Sequence, residues 1–257
     1  MTKIETNKLL SFILEILEMM VESGAEIYRV EESAIRICKA YGLGRADIFA
    51  TTSNIIISVE SSDGVIKTHT RRIGQINNDI ERVHQLNALV RKMTDSKPSL
   101  SEISKEIAQI KNIPTYTPLV ICVFYAVIAG SFYLFFGGRN IAELIAASII
   151  GFLIGIISKI LGNINANKAF IRFISSLFAC SAAIICKNIG IANNIDYIII
   201  GNIMTLIPGV GLTNSLRDLF AGDSISGILR LIEAVLLALA IACGYIISVF
   251  LFGGGAV

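Results

Sequence analysis

The stretch PLVICVFYAVIAGSFYLFF, Pro118–Phe136, decides the fold class: 19 residues without one charge. As a helix rising about 1.5 Å per residue it is about 28 Å long, close to the roughly 30 Å hydrocarbon core of a bilayer. It reads as a membrane span. Four more spans follow. Ile141–Ser158 carries one acid, Glu143, near its start. Phe173–Cys186 has only 14 uncharged residues and spans if Arg172 and Lys187 snorkel and the helix extends past both. Tyr197–Leu216 is 20 uncharged residues interrupted by Pro208, and Ala234–Phe252 closes the series with 19.

On the other side of Pro118 the composition changes. Residues 1–115 hold 15 Lys+Arg and 15 Asp+Glu, whereas residues 116–257 hold 7 and 5. Over the whole chain 54% of residues are hydrophobic and 16% charged, against about 25% charged in an ordinary soluble domain. The expectation is a cytoplasmic α+β domain over 1–115, followed over 116–257 by an α-helical membrane bundle of five transmembrane helices. With the first domain cytoplasmic, Lys111, Lys159, Lys168, Arg172, Arg217 and Arg230 lie inside and only Arg139 and Lys187 outside. The positive-inside rule therefore favours N-in, C-out.

Several function classes drop out. A formal net charge of +2 leaves no electrostatic footprint for nucleic acid. The two histidines, His69 and His84, have no Cys or His at metal-ligand spacing, so neither a metal nor a cofactor is expected. The five cysteines form no CxxC pair and read as small core residues. There is no Gly-x-Ser-x-Gly, P-loop or HExxH, so the chain does not read as an enzyme.

The run LLSFILEILEMMV has Glu15 and Glu18 inside its apolar stretch, which argues against a signal peptide. Leu10, Ile13, Leu14, Leu17, Met20 and Val21 share one face, so a helix over about 7–22, ended by Gly24, is expected. A second helix covers about 27–41. Strands follow at Ala46–Thr51, Asn54–Glu60 and Val65–Thr70, the last two joined through Ser61-Ser62-Asp63-Gly64. Helices at about 76–94 and 99–111 complete a three-stranded antiparallel sheet covered by helices.

The membrane part carries two kinds of signal. Small residues recur at i, i+4, i+8: Ala147, Gly151, Gly155; Ala234, Ala238, Ala242; and Ala240, Gly244, Ser248. Such stripes let helix backbones approach closely. The second signal is GNIMTLIPGVGLTNSLRDLFAGDSISGILRLIEA, Gly201–Ala234. Pro208 cannot donate the backbone bond of a continuous helix, and Gly209 and Gly211 loosen the same turn. Transporters present substrate to such half-helix ends. Asn202, Thr205, Pro208, Gly209, Gly211, Asn214, Arg217 and Arg230 are then candidate substrate-binding residues at and around the break. Glu233, Asp218 and Asp223 are candidate proton-coupling acids, since an acid at membrane depth is a functional candidate by default. Arg230 and Glu233, i and i+3, are placed to pair. In the first domain Arg29, Glu31, Glu32 and Arg36 share one helix, with Glu32 and Arg36 at i, i+4. Arg71, at the end of the hairpin, either holds an anion or docks on a neighbouring helix.

Gly24-Ala25-Glu26 with Arg29-Val30-Glu31-Glu32, Thr70-Arg71-Arg72-Ile73, Ile207-Pro208-Gly209 and Arg217-Asp218-Leu219 through Gly222-Asp223, Gly227 and Arg230 resemble the threonine/serine exporter family. The closer resemblance is to its N-terminal half, which occurs in many bacteria as a separate chain. The resemblance implies a bacterial inner-membrane exporter of small polar metabolites driven by the proton motive force. Its substrates would be serine and threonine or small dicarboxylates such as succinate. It also implies a partner, a small membrane protein of about 150 residues supplying a second set of about five helices, and leaves room for a higher oligomer. The alternative is a non-transporting membrane sensor or assembly protein whose cytoplasmic domain binds a partner or ligand.

Overall fold

The computed structural model describes residues 3–60, 64–114 and 116–252, with side chains from Thr6 onward. Three residues of the expected Ser61–Gly64 turn, Thr115 at the expected domain boundary and the glycine-rich end from 253 lie outside the described residues. In chain order the elements are α1 (Lys3–Glu22), α2 (Ile27–Ala40), β1 (Ala46–Ala50), β2 (Asn54–Glu60), β3 (Ile66–Arg72), α3 (Ile80–Asp95) and α4 (Leu100–Lys111). Then come α5 (Pro118–Phe135), α6 (Ile141–Asn163), α7 (Lys168–Asn188), α8 (Ile195–Met204), α9 (Gly209–Ala221) and α10 (Ser224–Phe252). They form two compact units, one of residues 1–114 with 210–231, the other of residues 115–209 with 232–257. Where the composition changes only once, at 115, the packing also gives α9 and the first two turns of α10 to the N-terminal unit.

In that unit α1 is the centre. Leu9, Leu10, Ile13, Leu14, Ile16, Leu17, Met20 and Val21 are all buried, a wider arc than one amphipathic face. The reason is that α2, α3, α4, β2 and β3 all pack on it. Three acids on its remaining face each find a partner. Glu15 pairs with Lys111, Glu18 with Arg71 at 3.5 Å, and Glu22 accepts the Gly74 N–H at 3.1 Å. Helix α1 ends as expected at Gly24, whose φ is +89°. The Gly24 N–H reaches Val21 O and the Ala25 N–H reaches Met20 O, the two bonds of a Schellman cap.

The sheet is antiparallel in the order β1-β2-β3, with Ile57 opposite Ile48 and His69. Ile55, Ile57 and Val59 alternate into the core. Helix α3 starts at Ile80, four residues later than expected, because the Asp79 side chain caps the Arg82 N–H at 2.9 Å. Helix α4 starts with a capping box between Ser99 and Glu102; the Ser99 hydrogen bonds hold the Glu102 carboxyl below the usual carboxylate range. Cys38 is 1% exposed, and burial pushes its thiol up to about 11. It should therefore stay unreactive to a maleimide at neutral pH until this unit unfolds. Fast labelling of a Cys38-only protein under native conditions would contradict that packing.

Among the described residues four helices are long and apolar enough to cross a membrane: α5, α6 and α7 of the second unit, and α10, most of which belongs to it. Counting the broken pair α8 and α9 as one span gives up to five. Helix α7 runs past both ends of its 14-residue apolar core, to Lys168 and Asn188. Two of the small-residue stripes are contact lines. A Cβ on Gly151 would meet Ala129 Cβ and Tyr125 O at 2.7 Å, and one on Gly155 would meet Cys122 Cα at 2.9 Å, so α5 and α6 touch almost backbone to backbone. A Cβ on Gly244 would meet Phe173 O at 2.6 Å. The stripe Ala234–Ala238–Ala242 is different: Ala238 and Ala242 are exposed. The buried line of α10 here is Ala234, Leu237, Ile241, Gly244 and Ser248, because that line faces α7, where Ser176 Oγ donates to Ile241 O and Ser181 lies 3.0 Å from Ser248.

Candidate functional site

The α1–α2 corner, Ser23–Ile27, is a place where two helix ends expose backbone groups. The N-terminus of α2 lacks a local cap, since the Glu26 side chain makes no capping bond. The turn between α9 and α10 supplies what is missing. Helix α9 ends at Gly222, φ +99°, with the Asp223 N–H bonded to Asp218 O at 2.9 Å. Gly227 lets α10 fold back on α9, since a Cβ there would meet Leu219 N and Ser215 O at 2.9 Å. This hairpin sets Asp218 and Arg230 face to face, Nε to Oδ2 at 3.5 Å, with side chains 0% and 7% exposed.

The pair then divides its charge between the two helix ends. Asp218 Oδ1 accepts the Ile27 N–H at 3.1 Å, at the positive end of α2. The Arg230 guanidinium donates to Ala25 O at 2.7 Å, just past the negative end of α1. Asn214 donates to Gly24 O at 3.0 Å. One turn further, Glu26 takes Arg217 on one carboxylate oxygen and Arg29 on the other, the latter at 2.6 Å. Beside these groups lies a pocket of about 280 Å³. Glu26, Arg29, Asn78, Asn87, Asn214 and Arg217 supply its polar wall. A carboxylate, two guanidiniums and three amides converge on a space smaller than the roughly 300–1,000 Å³ of drug-sized sites.

Of the sequence candidates, Arg29, Asn214, Arg217, Asp218 and Arg230 thus meet at one corner. Asp223 stands in the α9–α10 turn, its carboxyl raised above the usual range by burial. Glu31 accepts the Ala50 N–H at 2.8 Å. Its carboxyl is raised by burial, partly offset by that hydrogen bond, and raised further by the charge of Asp223. Glu32 and Arg36 are exposed and form no ion pair with each other. Arg71 docks on α1 through Glu18.

The expected Arg230–Glu233 pair does not form. Arg230 turns to Asp218. Glu233, two turns into α10 and half-exposed, lies 3.6 Å from Lys168, both within the second unit. The helix breaks at Pro208 as expected, between α8 and α9, with Gly209 and Gly211 at the start of α9.

Asn202 and Thr205 belong to the second unit. Thr205 Oγ1 donates to Asn202 O at 2.7 Å. Asn202 is fully buried; its amide donates to Ile198 O at 2.9 Å, while its Oδ1 meets no hydrogen-bond partner among the described residues. An orphaned amide oxygen costs stability. Asn202→Leu should therefore unfold no earlier than wild type in detergent, and a clearly lower thermal midpoint would show that Oδ1 has a partner.

Sequence reasoning missed four contributors. Glu26 stood only as part of a motif, although an acid between two helices, two residues after the glycine that ends the first, is a legible signal. Asn78 and Asn87 carry no signal at all before the fold is known. Glu143, in sequence only the one acid near the start of the second span, is 4% exposed and accepts three hydrogen bonds: Tyr133 O–H at 2.8 Å, Asn193 N–H at 2.8 Å and Asn194 N–H at 3.1 Å.

Residues 11–252 match the family model described as "Putative threonine/serine exporter". A relative from Mycobacterium tuberculosis, described as "Probable threonine/serine exporter", is 23% identical over 95% of this chain and 46% of its own length. A second, the "Probable succinate transporter subunit YjjP" of Klebsiella aerogenes, is 21% identical over 91% of this chain and 90% of its own. The chain thus spans about half the length of the first and nearly all of the second. No solved structure matches it. Gly24-Ala25-Glu26, Arg217-Asp218 and Arg230 lie inside the matched residues and meet at the α1–α2 corner; with residues 11–252 matched, the chain belongs to the threonine/serine exporter family.

Proposed function

We propose that the chain is one subunit of a bacterial inner-membrane exporter of small polar metabolites, and that the pocket at the α1–α2 corner receives the substrate. The observation that carries this reading is Glu26 held between Arg29 and Arg217, with Asn78, Asn87 and Asn214 alongside. A serine or threonine zwitterion has the matching groups: its ammonium suits Glu26, its carboxylate a guanidinium, its hydroxyl an amide. A dicarboxylate suits the two arginines, with Glu26 protonated. In either case Glu26 exchanges partners as substrate enters, which offers a route for coupling to the proton motive force alongside Asp218 and Asp223. Asn202 and Thr205, beside the broken helix, would form a second polar station.

The membrane topology follows the same logic. The hydrogen bonds of Asn214, Asp218 and Arg230 with Gly24–Ile27 support putting these segments on one side of the membrane. Glu143 bonds Asn193 and Asn194, which puts the α5–α6 and α7–α8 connections together, and Lys168 neighbours Glu233. Five spans, with α8 and α9 as the fourth, satisfy all three pairings, and the charge bias supports N-in, C-out. The relative that is twice as long supports a second membrane protein of the same family as partner. The test is efflux of serine, threonine and succinate from loaded cells expressing this chain with and without such a partner. Efflux that requires both chains and collapses with an uncoupler is the expected result. Efflux from this chain alone would remove the partner from the account, and no efflux of any solute would remove the exporter.

A further inference from the structure

A second cleft, of about 500 Å³, opens between α2 and α3. Arg29 and Arg36 line it from α2, His84 and Arg91 from α3, and Glu32 is the one acid in its wall. The spacing explains the convergence. Positions 29, 32 and 36 are successive turns of one face of α2, and 84, 87 and 91 are successive turns of one face of α3. Neither the Arg36 nor the Arg91 guanidinium takes part in a hydrogen bond or ion pair among the described residues, whereas Arg71, Arg82, Arg217 and Arg230 each meet a carboxylate. Two unneutralised guanidiniums facing one concavity raise its potential, and an anion bridging them relieves that repulsion.

We infer that this cleft binds a small soluble anion bearing phosphate groups. Guanidinium forks match phosphate oxygens two at a time. The volume exceeds that of the substrate pocket, and Tyr28 and His84 add ring faces for the organic part of a phosphate ester. Arg29 and Asn87 line both cavities. An anion in the cleft competes with Glu26 for Arg29, so it would act on the substrate pocket through that one side chain. The cleft is thus an effector site, separate in its chemistry from the substrate pocket.

Pyrophosphate titrated calorimetrically into the full chain, held in neutral-lipid nanodiscs at constant ionic strength, tests this directly. Saturable one-to-one binding is expected. Arg36→Gln and Arg91→Gln should each weaken it at least about tenfold, the loss of one charge-assisted contact. Arg82→Gln, whose arginine pairs with Asp79 outside the cleft, should not. Protection of Cys38 from maleimide checks that each variant is folded. Absence of saturable binding, or binding unchanged in the Arg36→Gln/Arg91→Gln double variant, would overturn the inference. Unchanged pyrophosphate affinity in phosphatidylglycerol nanodiscs supports a soluble ligand; its loss there would overturn that and give the cleft to a lipid headgroup.

Discussion

Asp218→Ala lowers the unfolding free energy of the N-terminal unit by about 3–5 kcal/mol, the usual cost of stranding one member of a buried ion pair. Arg230 is only 7% exposed, so it keeps a buried charge that has lost the Asp218 carboxylate. The substitution also uncaps the Ile27 N–H and so removes the anion from the positive end of α2. Arg230→Ala acts symmetrically and releases Ala25 O. The double replacement Asp218→Leu/Arg230→Met should cost much less than the two single losses added together, because no charge is then left buried. The measurement is the denaturant dependence of Cys38 labelling, which reports opening of this unit alone. Single variants with wild-type midpoints would mean that the pair is not buried as described.

Glu143→Ala has an effect of similar size, about 3–5 kcal/mol, in the other unit. One carboxylate there satisfies two backbone N–H groups and the hydroxyl of Tyr133, itself fully buried. Removing it strands three donors, and each stranded buried group costs about 1–3 kcal/mol. The Tyr133 hydroxyl keeps one alternative acceptor, Asn140 O at 3.2 Å, which limits the loss. Glu143→Gln should fall between wild type and Ala, because a single amide oxygen replaces two carboxylate oxygens. Thermal unfolding in detergent ranks the three. Equal midpoints for Ala and wild type would show that the α7–α8 connection does not depend on this carboxylate.

Much of this architecture is legible in the sequence for simple reasons. Charge density separates residues 1–115 from the rest, uncharged runs mark the long helices, and Gly24 and Pro208 mark helix ends by local backbone chemistry, whereas the Asp79 cap sets the start of α3 later than its periodicity suggests. What stays hidden is long-range. Glu18 and Glu15 look like ordinary surface charges until Arg71 and Lys111 are found on them. Asp218 and Ile27 are 191 positions apart, and no periodicity links a carboxylate in one helix to a bare N–H in another. Arg230 has Glu233 at an ideal helical spacing, yet the hairpin at Gly222 brings it a buried acid with two waiting helix ends. The small-residue stripe of α10 misled for a related reason: Ala238 and Ala242 obey the packing spacing but face away from α7. Spacing states which residues can share a line, and the neighbours decide which line is used.

The central claim is that Glu26, between Arg29 and Arg217, handles the exported solute. The most direct measurement is efflux of serine, threonine and succinate from cells expressing the partner subunit with either wild-type chain or Glu26→Gln. Membrane abundance and Cys38 protection should be matched first. The account predicts that Glu26→Gln cuts export of the preferred solute at least about tenfold, as loss of one charge-assisted contact requires, with Cys38 protection intact. Export at the wild-type rate by a folded Glu26→Gln chain would contradict it.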